Sequence, residues 1–138
     1  MRMRTLITIS AIFISFYCTA QKELSYDGYY VSIPDTNTMS VFKYYLRFYA
    51  DGTVIGVTTA GKPSNLVPWF KKENKTPYKG TYTVTDSVIK FSMTSEQGAV
   101  NYDGRLTSDN KLELKVKSLI NKYEGKEEYG FMKMDTIK

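Results

Sequence analysis

The sequence predicts an all-β protein: an eight-stranded antiparallel up-and-down barrel with one short helix inserted between strands 3 and 4. Three observations carry this. Short runs of alternating apolar and polar residues recur between residues 24 and 134, turn-forming residues separate them at close intervals, and one stretch alone, 64–73, departs from period two. Side chains on a strand alternate between faces, so each run offers one face to a core. Short connections favour strands that pair in chain order, and closure of the sheet leaves no exposed edge.

The amino terminus reads as a secretory signal peptide. Met1-Arg2-Met3-Arg4 gives a positive start, Thr5 to Tyr17 an apolar run, and Cys18-Thr19-Ala20 small residues before Gln21. Cleavage after Ala20 is expected, which leaves 21–138 as the barrel domain. Two other readings stay open. One is a retained anchor, for which about 13 apolar residues are short. The other is lipidation of Cys18, although bulky Phe16 and Tyr17 precede it.

The first strand is expected within 24–33, closed by Pro34-Asp35 and a polar turn through Ser40. Lys43–Thr59, KYYLRFYADGTVIGVTT, reads as a hairpin turning at Asp51-Gly52. A two-residue turn there pairs Phe48 with Ile55 and Leu46 with Val57, all on one face. Tyr45, Arg47, Tyr49, Gly56 and Thr58 then take the other. Pro63 or Ser64 starts a short helix that runs to Glu73, with Leu66, Val67, Trp69 and Phe70 on one side. Gly80–Thr85 and Val88–Met93 join at Asp86-Ser87, pairing Tyr82 with Phe91 and Val84 with Ile89. Ala99–Thr107 and Lys111–Ser118 join through Ser108-Asp109-Asn110. A three-residue loop aligns Leu106 with Leu112 and Tyr102 with Val116, with Asn110 at positive φ. The last strand spans about Lys126–Met134, with Tyr129 and Phe131 inward. A Tyr-x-Gly pattern recurs at Tyr26, Tyr78, Tyr102 and Tyr123. It fits glycines that let strands bend at barrel corners under a nearby ring.

Composition narrows the chemistry. The 138 residues hold 19 Lys and Arg against 14 Asp and Glu, a net charge of +5, which signal removal lowers because Arg2 and Arg4 leave. So mild an excess suits an exported protein and gives no footprint for nucleic acid. The sole cysteine, Cys18, lies in the leader, and histidine is absent. The barrel domain therefore has no thiolate nucleophile and none of the usual neutral-pH bases. Asp35, Asp51, Asp86 and Asp109 are explained by turns, and Glu127-Glu128 reads as a solvated strand end. No catalytic residue, metal ligand or cofactor is expected, nor any membrane span after Ala20.

Aromatic residues point elsewhere. The chain carries twelve tyrosines, seven phenylalanines and one tryptophan. Phe48, Tyr82, Phe91 and Tyr102 come out inward, and Trp69 lies on the inserted helix at a barrel mouth. An eight-stranded barrel can be filled by side chains or can hold one small ligand. These five residues are the candidate ligand-binding set for a small apolar or amphipathic molecule, in a monomer. The alternative is a filled barrel serving as an envelope or extracellular protein-interaction module through an exposed Tyr45–Arg47–Tyr49 face.

YYLRFYADGTVIGVTT, PSNLVPWFKKEN, YKGTYTVTDSVIKFSMTS and VNYDGRLTSDNKLELKVKSLINKYEGKEEYGFMKM together resemble small exported lipocalin-like barrels of Gram-negative bacteria. The resemblance covers nearly all of 24–134. It implies a calycin-type barrel, periplasmic or secreted, and carries no shared catalytic motif. Gly28-Tyr29-Tyr30 stands where true lipocalins have Gly-x-Trp.

Overall fold

The computed structural model describes residues 23–35, 37, 40–75 and 77–137. The leader expected at 1–20, with Cys18, lies outside them. Eight strands follow in order: β1 (Gly28–Ser32), β2 (Lys43–Phe48), β3 (Thr53–Thr59), β4 (Tyr78–Thr85), β5 (Val88–Ser95), β6 (Gly98–Leu106), β7 (Lys111–Ser118) and β8 (Glu124–Lys133). Each pairs antiparallel with its neighbour in sequence, and β8 returns to β1 to close the barrel. The expected all-β, eight-stranded up-and-down architecture is what the chain forms.

Two connections and one glycine follow the local chemistry. Asp86 and Ser87 both take positive φ, 49° and 67°, so they form the two-residue turn whose twist suits a hairpin. Tyr82 faces Phe91 and Val84 faces Ile89 as a consequence. The loop 108–110 places Asn110 at φ 57°, which aligns Leu106 with Leu112, Gly104 with Leu114 and Tyr102 with Val116. Gly80 lies so close to the Ser92 carbonyl of β5 that a Cβ would collide with it, as expected of a strand crossing tightly at a corner.

The β2–β3 hairpin differs from expectation by one residue. Phe48 pairs with Val54, Arg47 with Ile55 and Leu46 with Gly56. The loop is Ala50-Asp51-Gly52: the Tyr49 amide donates to the Thr53 carbonyl at 2.9 Å, and Gly52 alone takes positive φ, 92°. Asp51 Oδ1 accepts from the Thr53 amide, a side-chain bond that an aspartate makes in this loop. The slip moves Val54 and Gly56 inward, and sends Ile55 and Val57 outward beside Tyr45 and Arg47. Both faces of this hairpin are buried, so alternation could not choose between the registers.

Burial on the outer face has a clear cause. The segment expected as a helix over 64–73 forms only a four-residue 3-10 helix, Pro63–Leu66, followed by turns. Its Leu66 and Phe70 pack on Tyr29 of β1, Tyr45 of β2 and Ile55 of β3, joined by Ile137 after β8. Pro68 removes one amide donor, so a longer helix would lose a bond there. A second, smaller core therefore lies outside the barrel, under 63–70 and the carboxy-terminal turn. The main core fills the interior, from Leu24 and Tyr30 through Phe48, Ile89 and Leu114 to Tyr129.

Candidate functional site

Midway along the barrel, inward rings meet across the interior. Phe48 on β2 touches Tyr30 on β1, Tyr82 on β4 and Phe91 on β5, with centroids 5.6, 5.1 and 5.4 Å apart, all edge to face. Phe91 stacks on Tyr102 of β6 at 4.5 Å. Of the five residues expected to line a cavity, Phe48, Tyr82, Phe91 and Tyr102 are thus brought together, and they pack on one another. The space between opposite walls at this level is filled by these rings. Trp69 stands apart from them, 40% exposed on the segment that covers the outer wall. That segment caps the side of the barrel and not a mouth.

One end is closed by the chain itself. Residues 23–26 cross it, with Leu24 buried in the main core. The Tyr30 hydroxyl accepts from the Ser25 amide and donates to Asn110 Oδ1, both at 3.0 Å, while Asn110 Nδ2 donates to Ser25 Oγ. The β6–β7 loop thereby clasps the segment that precedes β1. Tyr82 completes this end by donating to the Tyr49 carbonyl at 2.6 Å. A recess of about 440 Å³ remains between residues 23–26 and the β4–β5 hairpin.

The opposite end is different. Inward-facing Tyr44 at the start of β2, Tyr78 of β4, and Val100 and Tyr102 of β6 all keep some contact with solvent. Tyr123, just before β8, folds its ring against Gly125, where a Cβ would collide with its hydroxyl. Glu127 faces inward with them: its neighbours two residues either side, Gly125 and Tyr129, share the inner face, and it is paired with buried Leu114 on β7. The Tyr129 hydroxyl donates to Glu127 Oε2 at 2.5 Å. Burial pushes the Glu127 carboxyl above the ordinary range, an effect partly opposed by that hydrogen bond. Burial likewise raises the phenols of Tyr102 and Tyr129, with the Glu127 charge adding to it, so both stay protonated. No lysine or arginine among the described residues forms an ion pair with Glu127.

Two loops at this end carry exposed apolar residues: Val41 and Phe42 between β1 and β2, and Leu119 and Ile120 between β7 and β8. Because β8 adjoins β1, the two loops leave neighbouring strands and give this end an apolar margin, whereas exposed Ile33 lies on the outer face against Gly130.

Two other surfaces were candidates. The Tyr45–Arg47–Tyr49 face is not open to a partner: Tyr45 and Arg47 are only 2% and 8% exposed beneath the 63–72 segment. The Arg47 guanidinium lies 4.5 Å over the Tyr49 ring, with Lys72 Nζ 5.0 Å from the same ring. Lys72 also bonds Asp51 Oδ2 at 2.6 Å, which pulls the Asp51 carboxyl down to about 2. A groove of about 750 Å³ crosses β5–β8 along Phe91, Tyr102, Val116 and Gly125, flanked by Lys90, Asn101, Asp103, Lys115, Lys117, Glu124 and Lys126. Alternation puts the flanking residues on the outer face, so Phe91 and Tyr102 border this groove as well as the packed interior.

Sequence reasoning missed Glu127, Tyr44 and Tyr123. The signal for Glu127 lies in the alternation: Tyr129 comes out inward, and two residues earlier is the same face. Among the described residues no group of three or more metal-ligating side chains gathers, and no helix is long and apolar enough to cross a membrane. The fold and its two unlike ends define the class: a closed eight-stranded antiparallel barrel, consistent with a lipocalin-like one. No family model, curated protein or solved structure matches the chain.

Proposed function

We propose that this chain is an exported, monomeric lipocalin-like barrel that binds a small amphipathic molecule at its tyrosine-rimmed end, without catalysis or a bound cofactor. One observation carries the reading. Inward Tyr44, Tyr78 and Tyr102 gather with Glu127 at one end and keep contact with solvent there, beside exposed Val41, Phe42, Leu119 and Ile120, while the other end is crossed by the clasped segment 23–26 over half-buried Tyr82. Tyrosine combines a large apolar ring with a hydroxyl, which suits a ligand having one polar and one apolar part. Export rests on the amino-terminal sequence pattern.

The ligand set shifts accordingly. Tyr102 stays in it, Tyr44, Tyr123 and Glu127 join it, and Phe48, Tyr82 and Phe91 support it from below. Titration of the folded chain with a neutral environment-sensitive dye tests this. Saturable one-to-one binding is expected, weakened at least tenfold by Tyr102→Ala and by Tyr123→Ala. A cooperatively folded chain that shows no saturable binding would overturn the proposal.

A further inference from the structure

The ligand's polar part has a chemistry that the same end specifies. We propose that it is a cation, an ammonium group carried on an apolar tail, with Glu127 as its counter-charge and the surrounding tyrosines as its walls. The inference rests on the reading of this end as a binding site and names the class of molecule it takes.

Four observations converge. First, Glu127 is aimed into the barrel by the β8 register, between Gly125 and Tyr129, with Leu114 beside it. Its bonded partner among the described residues is a neutral hydroxyl, that of Tyr129. A carboxylate taken out of water calls for an opposite charge, and a phenol does not provide one. Second, the groups that face it are all phenols: Tyr129 on its own strand, Tyr123 before it, Tyr102 from β6 and, a little further off, Tyr44 from β2. From β7, Leu114 and Val116 offer only hydrocarbon. Third, aromatic faces attract cations, and quaternary ammonium ligands are recognised by cages of aromatic rings. Fourth, the apolar margin next to these tyrosines gives a tail somewhere to lie, whereas an anionic head would meet Glu127 as a like charge.

A proton linkage follows. Burial raises the Glu127 carboxyl above its ordinary value, and an arriving ammonium favours the ionised form. Affinity for the cation therefore rises with pH through the Glu127 titration, then levels off.

The test uses three amphiphiles of one chain length, each below its micelle concentration: dodecyltrimethylammonium, dodecyl sulfate and dodecyl maltoside. Binding to the full chain is followed by calorimetry. The trimethylammonium form is expected to bind at least tenfold more tightly than the maltoside. Glu127→Gln abolishes that preference, so that the trimethylammonium form binds no more tightly than the maltoside, while Glu127→Asp retains part of it. Chemical unfolding confirms that each variant is folded. Equal binding of the three head groups, or a cation preference that survives Glu127→Gln, would overturn the assignment and leave the binding end itself intact. Failure of all three amphiphiles to bind would overturn the site as well.

Discussion

At the scale of single residues, Phe48 and Glu127 do opposite things. Phe48 is the hub of the interior, in contact with three rings on three strands, and is 1% exposed. Phe48→Ala is expected to cost about 3–5 kcal/mol of stability, measured by urea unfolding, because the rings around it cannot collapse into the gap. Glu127 lowers stability where Phe48 raises it. Its carboxyl is held above the unfolded value, so the folded state binds more protons than the unfolded one as pH rises through that interval. Stability from this group is complete below the unfolded value and is lost as pH rises from there through the folded one. Unfolding midpoints of wild type and Glu127→Gln should therefore agree at about pH 4 and separate towards neutrality, with the variant more stable. The sequence made Phe48 legible as an inward residue through the local hairpin. Glu127 was obscured because an acid pair beside Lys126 looks like a solvated strand end unless the alternation from Tyr129 is carried through it.

At the scale of elements, the loops decided which registers could be read. At Asp86-Ser87 and at Ser108-Asp109-Asn110, one face of each hairpin is plainly polar, so turn chemistry and burial select the same pairing. At Ala50-Asp51-Gly52 both faces are apolar, and Asp-Gly suits either a two-residue turn or the last two places of a three-residue loop. The sequence held nothing local to choose between them. The helix expected over 64–73 is shorter for a related reason: Leu66 and Phe70 do recur at a spacing of four, and a 3-10 helix continued by turns satisfies that spacing too. The loop at 108–110 serves a second purpose through the Asn110 clasp. Asn110→Gly keeps the positive φ and removes the bonds to Tyr30 and Ser25. It should cost about 1–2 kcal/mol and speed amide exchange at Ser25, leaving the β6–β7 amides protected. Asn110→Ala should cost more, because it adds a strained backbone to the lost bonds.

At the scale of the whole molecule, the barrel is not equally strong all the way round. β5 and β6 share eight paired positions and β6 and β7 seven, whereas β1 and β2 share two, Tyr30 with Leu46 and Val31 with Tyr45. The outer core lies across this weak seam, since Tyr29, Tyr45 and Ile55 come from β1, β2 and β3 in turn and are covered by Leu66, Phe70 and Ile137. Ile137→Ala is expected to cost about 2–5 kcal/mol and to raise amide exchange along β1 and β2 ahead of β5–β7. An even loss of protection around the ring would show that the outer core does not hold the seam. Topology was legible from spacing alone, but this uneven strength was not, because it depends on contacts between segments distant in the chain. That distance matters to a chain still being made. β1 leaves the ribosome early, and it finds β8 and Ile137 only after roughly a hundred further residues have been added. Until then its hydrogen-bonding edge is open, so the unfinished chain is a curled sheet that becomes a barrel only once β8 is free to pair with it.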